Sequence, residues 1–395
     1  MSEGGTRTAL FLTPEAPYPL VGGGQLRAAC LLEYLAQSYA VDVIVFREPG
    51  AADPRLAFPP GLVRWIDVVD LPFHSKGVAA RVWRNGVRLI RRAPPLVDRF
   101  AGAGAQVSGI LGGRRYDVAV VEHFWCAPYH EQLVECAEHT VLDLVDVESV
   151  LHERCRKSEP WPASFAHAVF AKATRRLEHV WLPRYSRLLA TSREDAEAVC
   201  RIVSHPGITV YPNTLPAALR PNVPEEEAIA FSGNLEYRPN ISAVRYFARE
   251  VWPLVRRPKL EWRLIGRNDY AVRRLVSGDP SIRCTGPVED AIQELARAQV
   301  VVVPVLAGSG TRLKIVEAWA AGRAVVSTAI GAEGLPAKDG ENILLADGAG
   351  AFAAAVSRLL DAPELRRAVG AAGRETYERE LTWQSAWQRL REAGL

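Results

Sequence analysis

The chain has 395 residues, 48% of them hydrophobic and 24% charged, with a formal net charge of +3 at pH 7. That length and composition suit two globular domains with full cores and exclude a disordered chain, while the small net charge argues against a protein that coats nucleic acid. The six cysteines (Cys30, Cys126, Cys136, Cys155, Cys200, Cys284) are scattered without a close C-x-x-C pair, so reduced thiols are expected rather than a zinc site or disulfide framework.

The first strand spans residues 8–13. No signal-peptide core precedes it and no apolar run approaches ~18 residues, which predicts a cytoplasmic protein. Pro14, Pro17, Pro19 and the triplet Gly22-Gly23-Gly24 follow, then an amphipathic helix through Leu31, Leu32 and Leu35. The glycines are either a ligand loop suited to a sugar or phosphate or a long surface loop that needs them to turn. A dinucleotide-binding turn would be shorter and would carry glycine at Arg27. Strands at 41–46, 63–69, 117–122, 140–145, 187–191 and 208–211 alternate with helical stretches, which predicts a parallel, doubly wound sheet. Ligands bind beyond the carboxyl ends of such strands, where Glu122-His123 falls; His123 is either a ligand contact there or a structural histidine. Asp143, Asp146 and Glu148 form an acidic cluster after the next strand, read as structural rather than metal-binding.

Residues 76–92 contain Lys76, Arg81, Arg84, Arg88, Arg91 and Arg92 and no acidic residue. Arg81, Arg84, Arg88 and Arg91 share one helical face, with Val82, Trp83, Val87, Leu89 and Ile90 around the rest. The segment reads either as an interfacial helix for anionic lipid headgroups or as a solvated basic face over the domain core.

Pro216, Pro221, Pro224 and the acidic residues 225–227 have linker character, and a new strand begins near Ala228. It ends at Phe231-Ser232-Gly233-Asn234, a glycine turn, and Pro239-Asn240 opens a helix carrying Val244, Phe247 and Val251. Strands at 262–265, 282–285, 300–303, 324–328 and 342–345 complete a second parallel sheet. The Gly331-Ala332-Glu333-Gly334-Leu335 loop falls at its ligand edge, and Leu381, Trp383, Trp387 and Leu390 form a final apolar stripe at helical spacing.

The stretch 299–335, QVVVVPVLAGSGTRLKIVEAWAAGRAVVSTAIGAEGL, carries the clearest chemistry. Val300, Val301, Val302 and Val303 suit a buried parallel strand that Pro304 ends. In the loop that follows, Gly308 and Gly310 permit close ligand approach, and Ser309 or Thr311 caps a helix running to about Ala321 before Gly322. Free N–H groups at that helix start would hold a phosphate, with Lys314 as a mobile cation one turn in. Glu317 shares the face of Lys314 and stands about 9 Å beyond Thr311, the offset between a nucleotide's phosphates and its ribose hydroxyls. The alternative is a surface ion pair worth less than about 1 kcal/mol.

This stretch resembles the C-terminal domain of family 4 glycosyltransferases, retaining nucleotide-sugar enzymes of glycosyltransferase-B architecture. Glu317-Ala318-Trp319-Ala320-Ala321-Gly322 matches the second half of their Glu, seven residues, Glu signature. Ser309 stands where the first Glu would touch the donor sugar, as in a branch of the family with a Gly-Ser-Gly-Thr-Arg-Leu-Lys loop; sugar contacts would then come from backbone amides. The resemblance implies that the Gly22-Gly23-Gly24 loop lies near donor phosphates and acceptor, that His123 contacts the donor sugar, and that Tyr211-Pro212-Asn213, with Thr214 in place of Gly, closes the N-terminal domain. Asn234 and Asn240 occupy positions where many members carry an Arg and a Lys that clamp the diphosphate; Arg238, Arg312 and Lys314 are the cations that would substitute. It also places Glu333, Gly334 and Leu335 near the nucleotide, although Glu333 equally suits an exposed turn.

The reading predicts two Rossmann-like, doubly wound parallel-sheet domains facing a cleft: residues 1–215 on the acceptor side, 216–380 holding the nucleotide-sugar, and a final helix at 381–395 crossing back. The expected activity is retaining glycosyl transfer, with His123, Arg312, Lys314 and Glu317 as catalytic candidates and Gly22, Gly23, Gly24, Gly233, Asn234, Gly308, Ser309, Gly310, Thr311, Glu333, Gly334 and Leu335 at the donor. No cofactor or metal is expected; the partners are a nucleotide-sugar and a glycan, lipid-linked or small-molecule acceptor, with peripheral contact to anionic membrane through residues 76–92. The competing readings are a glycosyltransferase-B epimerase or inverting transferase, which needs an acid–base pair, and a catalytically silent nucleotide-sugar-binding protein.

Overall fold

Runs of β-branched and aliphatic residues buried on both faces build two all-parallel sheets, each in its own unit of the chain. The computed structural model describes residues 7–75, 77–306 and 313–395. One unit runs to Pro212 and includes Arg389–Leu395, and the other is Asn213–Gln388.

The first unit contains β1 (Thr8–Thr13), β2 (Ala40–Arg47), β3 (Trp65–Asp70), β4 (Tyr116–Glu122), β5 (Ala137–Asp143), β6 (Arg187–Ala190) and β7 (Ile208–Val210) in the order β3-β2-β1-β4-β5-β6-β7. The winding reverses between β1 and β4, where Leu12 pairs with Val121, and the carboxyl ends of these two strands form the switch point at which open α/β sheets bind ligands. The helix Gly23–Ala36 follows β1. Gly23 and Gly24 lie in its first turn and only Gly22 precedes it, as an extended N-cap, so the triplet is a helix start rather than a loop. That helix is also not amphipathic: Arg27, Ala28, Ala29, Cys30, Leu31, Leu32, Tyr34 and Leu35 are all buried.

The helix Val78–Arg91 splits its basic residues: Arg81 and Arg91 are exposed, while Arg88 turns inward. Arg88 is buried, and its Nε donates to Asp98 Oδ2 at 2.8 Å, with Arg91 at 3.8 Å from the same carboxylate. Arg84 Nη1 donates to the Ser75 carbonyl at 3.3 Å. Asp98, on the next helix (Pro95–Phe100), draws Arg88 inward, and Val78, Val82, Trp83 and Ile90 face outward, 65% to 84% exposed. Lys76 lies outside the described residues.

The second unit contains β8 (Ala228–Ser232), β9 (Glu261–Ile265), β10 (Ile282–Gly286), β11 (Val300–Val303), β12 (Ala324–Ser327) and β13 (Leu344–Leu345) in the order β10-β9-β8-β11-β12-β13. Its switch point lies between β8 and β11. The helix Leu313–Ala320 follows β11 and buries Ile315, Val316, Ala318, Trp319 and Ala320. Trp319 is fully buried; its Nε1 donates to the Asn342 carbonyl at 2.9 Å, and Gly373 on the helix Pro363–Glu380 leaves no room for a side chain beside the indole. Burying a side chain of that size is worth about 2–3 kcal/mol, so this packing fixes the face the helix shows to the strand ends. The final helix, Trp383–Glu392, begins in this unit, while its last residues group with the first. None of the six cysteines forms a disulfide, and no described helix is long and apolar enough to cross a membrane.

Candidate active site

The switch point of the second sheet gathers polar groups from β8, the turn after it and the helix Leu313–Ala320. Gly233 and Gly266 end β8 and β9 with φ of 140° and 143°, conformations that favour glycine. The two turns lie back to back: Gly233 N–H donates to the Ile265 carbonyl and Leu235 N–H to the Arg267 carbonyl, both at 3.0 Å, and a Cβ on Gly266 would overlap the Gly233 carbonyl. Asn240, buried in the first turn of the helix Arg238–Tyr246, donates from Nδ2 to the Asn234 carbonyl at 2.8 Å. Its Oδ1 accepts from Lys314 Nζ at 3.2 Å, orienting the ammonium without neutralising it. The same ammonium stands 5.4 Å from the centre of the Phe231 ring.

Ser232 Oγ donates to Glu317 Oε2 at 3.1 Å. Burial raises the Glu317 pKa above the ordinary carboxylate value, opposed by the Ser232 hydrogen bond and the charge of Lys314. The structure thus brings Lys314, Glu317, Gly233 and Asn234 together. The side-chain oxygen of Asn234 shapes the turn: Oδ1 accepts from Glu236 N–H and from Asn268 Nδ2, both at 3.1 Å. Gly308, Ser309, Gly310, Thr311 and Arg312 lie outside the described residues.

Beyond β12, Thr328 ties the next loop to the end of β11. Its Oγ1 donates to the Val305 carbonyl at 2.5 Å and accepts from Gly331 N–H at 2.9 Å. Glu333, Gly334 and Leu335 follow as half-buried turn residues past the carboxyl end of this strand, so Glu333 is not a fully exposed turn carboxylate.

In the first unit, His123 follows β4 as Gly22, Gly23 and Gly24 follow the adjacent β1. His123 has φ of 64°, uncommon for a residue with a Cβ, and its N–H donates to the Asp143 carbonyl at 2.8 Å. Its ring stacks on Trp125 at 4.0 Å, and its buried Nδ1 has no hydrogen-bond partner. Burial and the nearby Arg27 lower its pKa to about 3, so the imidazole is neutral at physiological pH.

Two members of the acidic cluster, Asp143 and Glu148, are engaged within the unit. Arg27 grips Asp143 bidentately (Nε to Oδ2 2.7 Å, Nη2 to Oδ1 2.5 Å), donates to the Tyr211 carbonyl at 2.7 Å and packs its guanidinium over the Tyr211 ring. Trp125 Nε1 donates to Glu148 Oε1 at 2.5 Å, and burial pushes the Glu148 pKa to about 8, with Asp146 adding to the shift.

Sequence reading missed three groups here. Arg27 pins the glycine-led helix, Ser232 holds Glu317, and Gly266 makes room for the Gly233 turn. Only Gly266 carries a sequence signal, a glycine directly after a strand, like Gly233.

Residues 226–362 match the family model described as glycosyl transferases group 1. No curated protein matches the chain. Among solved structures, sucrose-phosphate synthase from Thermosynechococcus elongatus is similar with a TM-score of 0.73 and 19% identity, over 98% of each chain. HepE of Anabaena, solved in complex with UDP, gives a TM-score of 0.69 at 14% identity over 98% of each chain. WaaG, a glycosyltransferase involved in lipopolysaccharide biosynthesis, gives 0.64 at 12% identity over 98% of each chain. The chain therefore has the glycosyltransferase-B fold, with residues 226–362 of its second unit matching the group 1 glycosyl transferase family.

Proposed function

We propose that the protein is a retaining glycosyltransferase that moves a sugar from a nucleotide-sugar to an acceptor hydroxyl in glycan, glycolipid or polysaccharide assembly. The convergence of Lys314, Asn240, Glu317 and Gly233 at the second switch point carries this reading. Lys314 faces the diphosphate and stabilises the negative charge that develops as it leaves, joined by Arg312 and the N–H groups of Gly308, Ser309, Gly310 and Thr311. Glu317 accepts hydrogen bonds from the ribose, and Glu333, Gly334 and Leu335 border the nucleotide. Neutral His123 contacts a sugar hydroxyl, with Gly22, Gly23 and Gly24 on the acceptor side.

HepE was solved with UDP, which makes UDP the first probe. Calorimetric titration should show that Glu317→Gln and Lys314→Ala each weaken UDP binding tenfold or more, about 1.4 kcal/mol, without unfolding the chain. Unchanged affinity in both would return the pair to a surface role. The anomeric configuration of the product, read by NMR, decides between retention and inversion; binding without transfer or donor hydrolysis would mark a silent sugar-nucleotide-binding protein.

The outward face of the helix Val78–Arg91 supports an acceptor at an anionic membrane, the protein sitting peripherally on its cytoplasmic side. Val78, Val82, Trp83 and Ile90 are exposed beside Arg81, Arg91 and Arg92, a pairing that suits lipid headgroups over acyl chains. Insertion rather than charge alone should hold the protein there. Co-sedimentation with anionic vesicles should fall after Trp83→Ser with Ile90→Ser and persist after Arg88→Gln, since Arg88 is already paired with Asp98. Absence of vesicle binding at low salt would leave a soluble acceptor.

A further inference from the structure

The β1 and β4 strand ends share a buried hydrogen-bond chain that the transfer chemistry leaves unused. Thr13 and Glu122 are 0% and 2% exposed. Thr13 Oγ1 stands 2.6 Å from the Glu15 carbonyl oxygen and makes a second, short hydrogen bond with Glu122 Oε2. A carbonyl oxygen only accepts, so the single Thr13 hydroxyl proton is committed to Glu15. Towards Glu122, Thr13 has only lone pairs to offer. The proton in that contact therefore belongs to the Glu122 carboxyl.

Charge balance leads to the same state. The groups facing Glu122 are Arg27 from the helix Gly23–Ala36, Asp143 from β5, Glu15 from the segment after β1 and Cys126 from the turn after β4. Arg27 is already matched by Asp143, with both side chains fully buried, so an ionised Glu122 would be a second buried anion against one cation. Glu122 Oε1 has no partner, which a carbonyl oxygen of a neutral acid tolerates far better than a carboxylate does. Burial shifts its pKa well above the ordinary value, in agreement.

We propose that Glu122 is a positioning residue that works as a protonated acid at neutral pH, its O–H fixing Thr13 and, through Glu15, the 14–22 segment that sets the start of the helix Gly23–Ala36. Glu15 extends the chain, its Oε2 accepting from Gln25 Nε2 at 3.3 Å in the first turn of that helix. The role rests on reading that helix start as part of the acceptor side. The protonation state and the positioning are both measurable without turnover.

In a Glu148→Gln background, which removes the other buried acid titrating near pH 8, infrared difference spectra on raising the pH should show loss of a protonated-carboxyl component that the added Glu122→Gln removes. Glutamine can donate to Thr13 as the acid does, so hydrogen exchange of residues 15–25 should match wild type in Glu122→Gln. It should rise tenfold or more in Glu122→Ala or in the near-isosteric Thr13→Val, the second variant guarding against misfolding of the first. A band unchanged by Glu122→Gln, or wild-type exchange in Thr13→Val, would overturn the proposal. If transfer activity proves absent while both arms hold, the transferase reading fails and the Glu122 device stands.

Discussion

Replacing Glu148 by Gln should stabilise the first unit, and by an amount that grows with pH. The side chain is buried, its Oε1 accepts from Trp125 Nε1, and its pKa stands at about 8 against an ordinary 4.5. Between these values the folded state holds a proton that the unfolded chain has released, so stability falls as pH rises from about 4.5 to about 8. At pH 7 the cost is about 1.4 kcal/mol for each of roughly 2.5 pH units, or about 3 kcal/mol; at pH 5 it is about 1 kcal/mol. Glutamine accepts from Trp125 equally well and has no proton to lose. Urea unfolding of both proteins at pH 5 and pH 7, comparing the transition that the substitution moves, should give a gain larger by about 2 kcal/mol at pH 7. A gain independent of pH, or a loss at pH 7, would show that Glu148 is ionised in the folded protein.

Gly266→Ala should displace the Gly233 turn, because its Cβ meets the Gly233 carbonyl and its φ of 143° is strained for alanine; UDP affinity measured by calorimetry should drop more than about tenfold. Asn240→Ala removes the partners of Lys314 and of the Asn234 carbonyl, and should weaken UDP binding by about 1–2 kcal/mol, roughly five- to thirtyfold in the same titration. Transfer activity should survive EDTA, since Asp143 is committed to Arg27 and Glu148 to Trp125; activity lost on chelation and restored by magnesium or manganese would refute this.

Much of the fold was legible because parallel strands buried on both faces read as continuous apolar runs. Val300–Val303 and Ala228–Ser232 stand within a residue or two of where their β-branched content and flanking turn residues place them. Gly233 was legible as a turn and Lys314 and Glu317 as helix neighbours, since these depend on local spacing. The placement of the basic residues on the helix Val78–Arg91 was not: helical periodicity defines two faces, but Asp98 decided that Arg88 turns inward while Arg81 stays exposed.

By itself the sequence determined the α/β alternation, the helix that follows β11 and the shared face of Lys314 and Glu317, all consequences of residue type and short-range period. Only the tertiary structure decided which distant residues meet those groups. Ser232 reaches Glu317 and Asn240 reaches Lys314 across 85 and 74 positions, and Arg27 finds Asp143 across 116. Those pairings follow from strand order, which sets β8 beside β11 and β1 beside β4, and strand order is fixed by the packing of whole layers rather than by any local pattern.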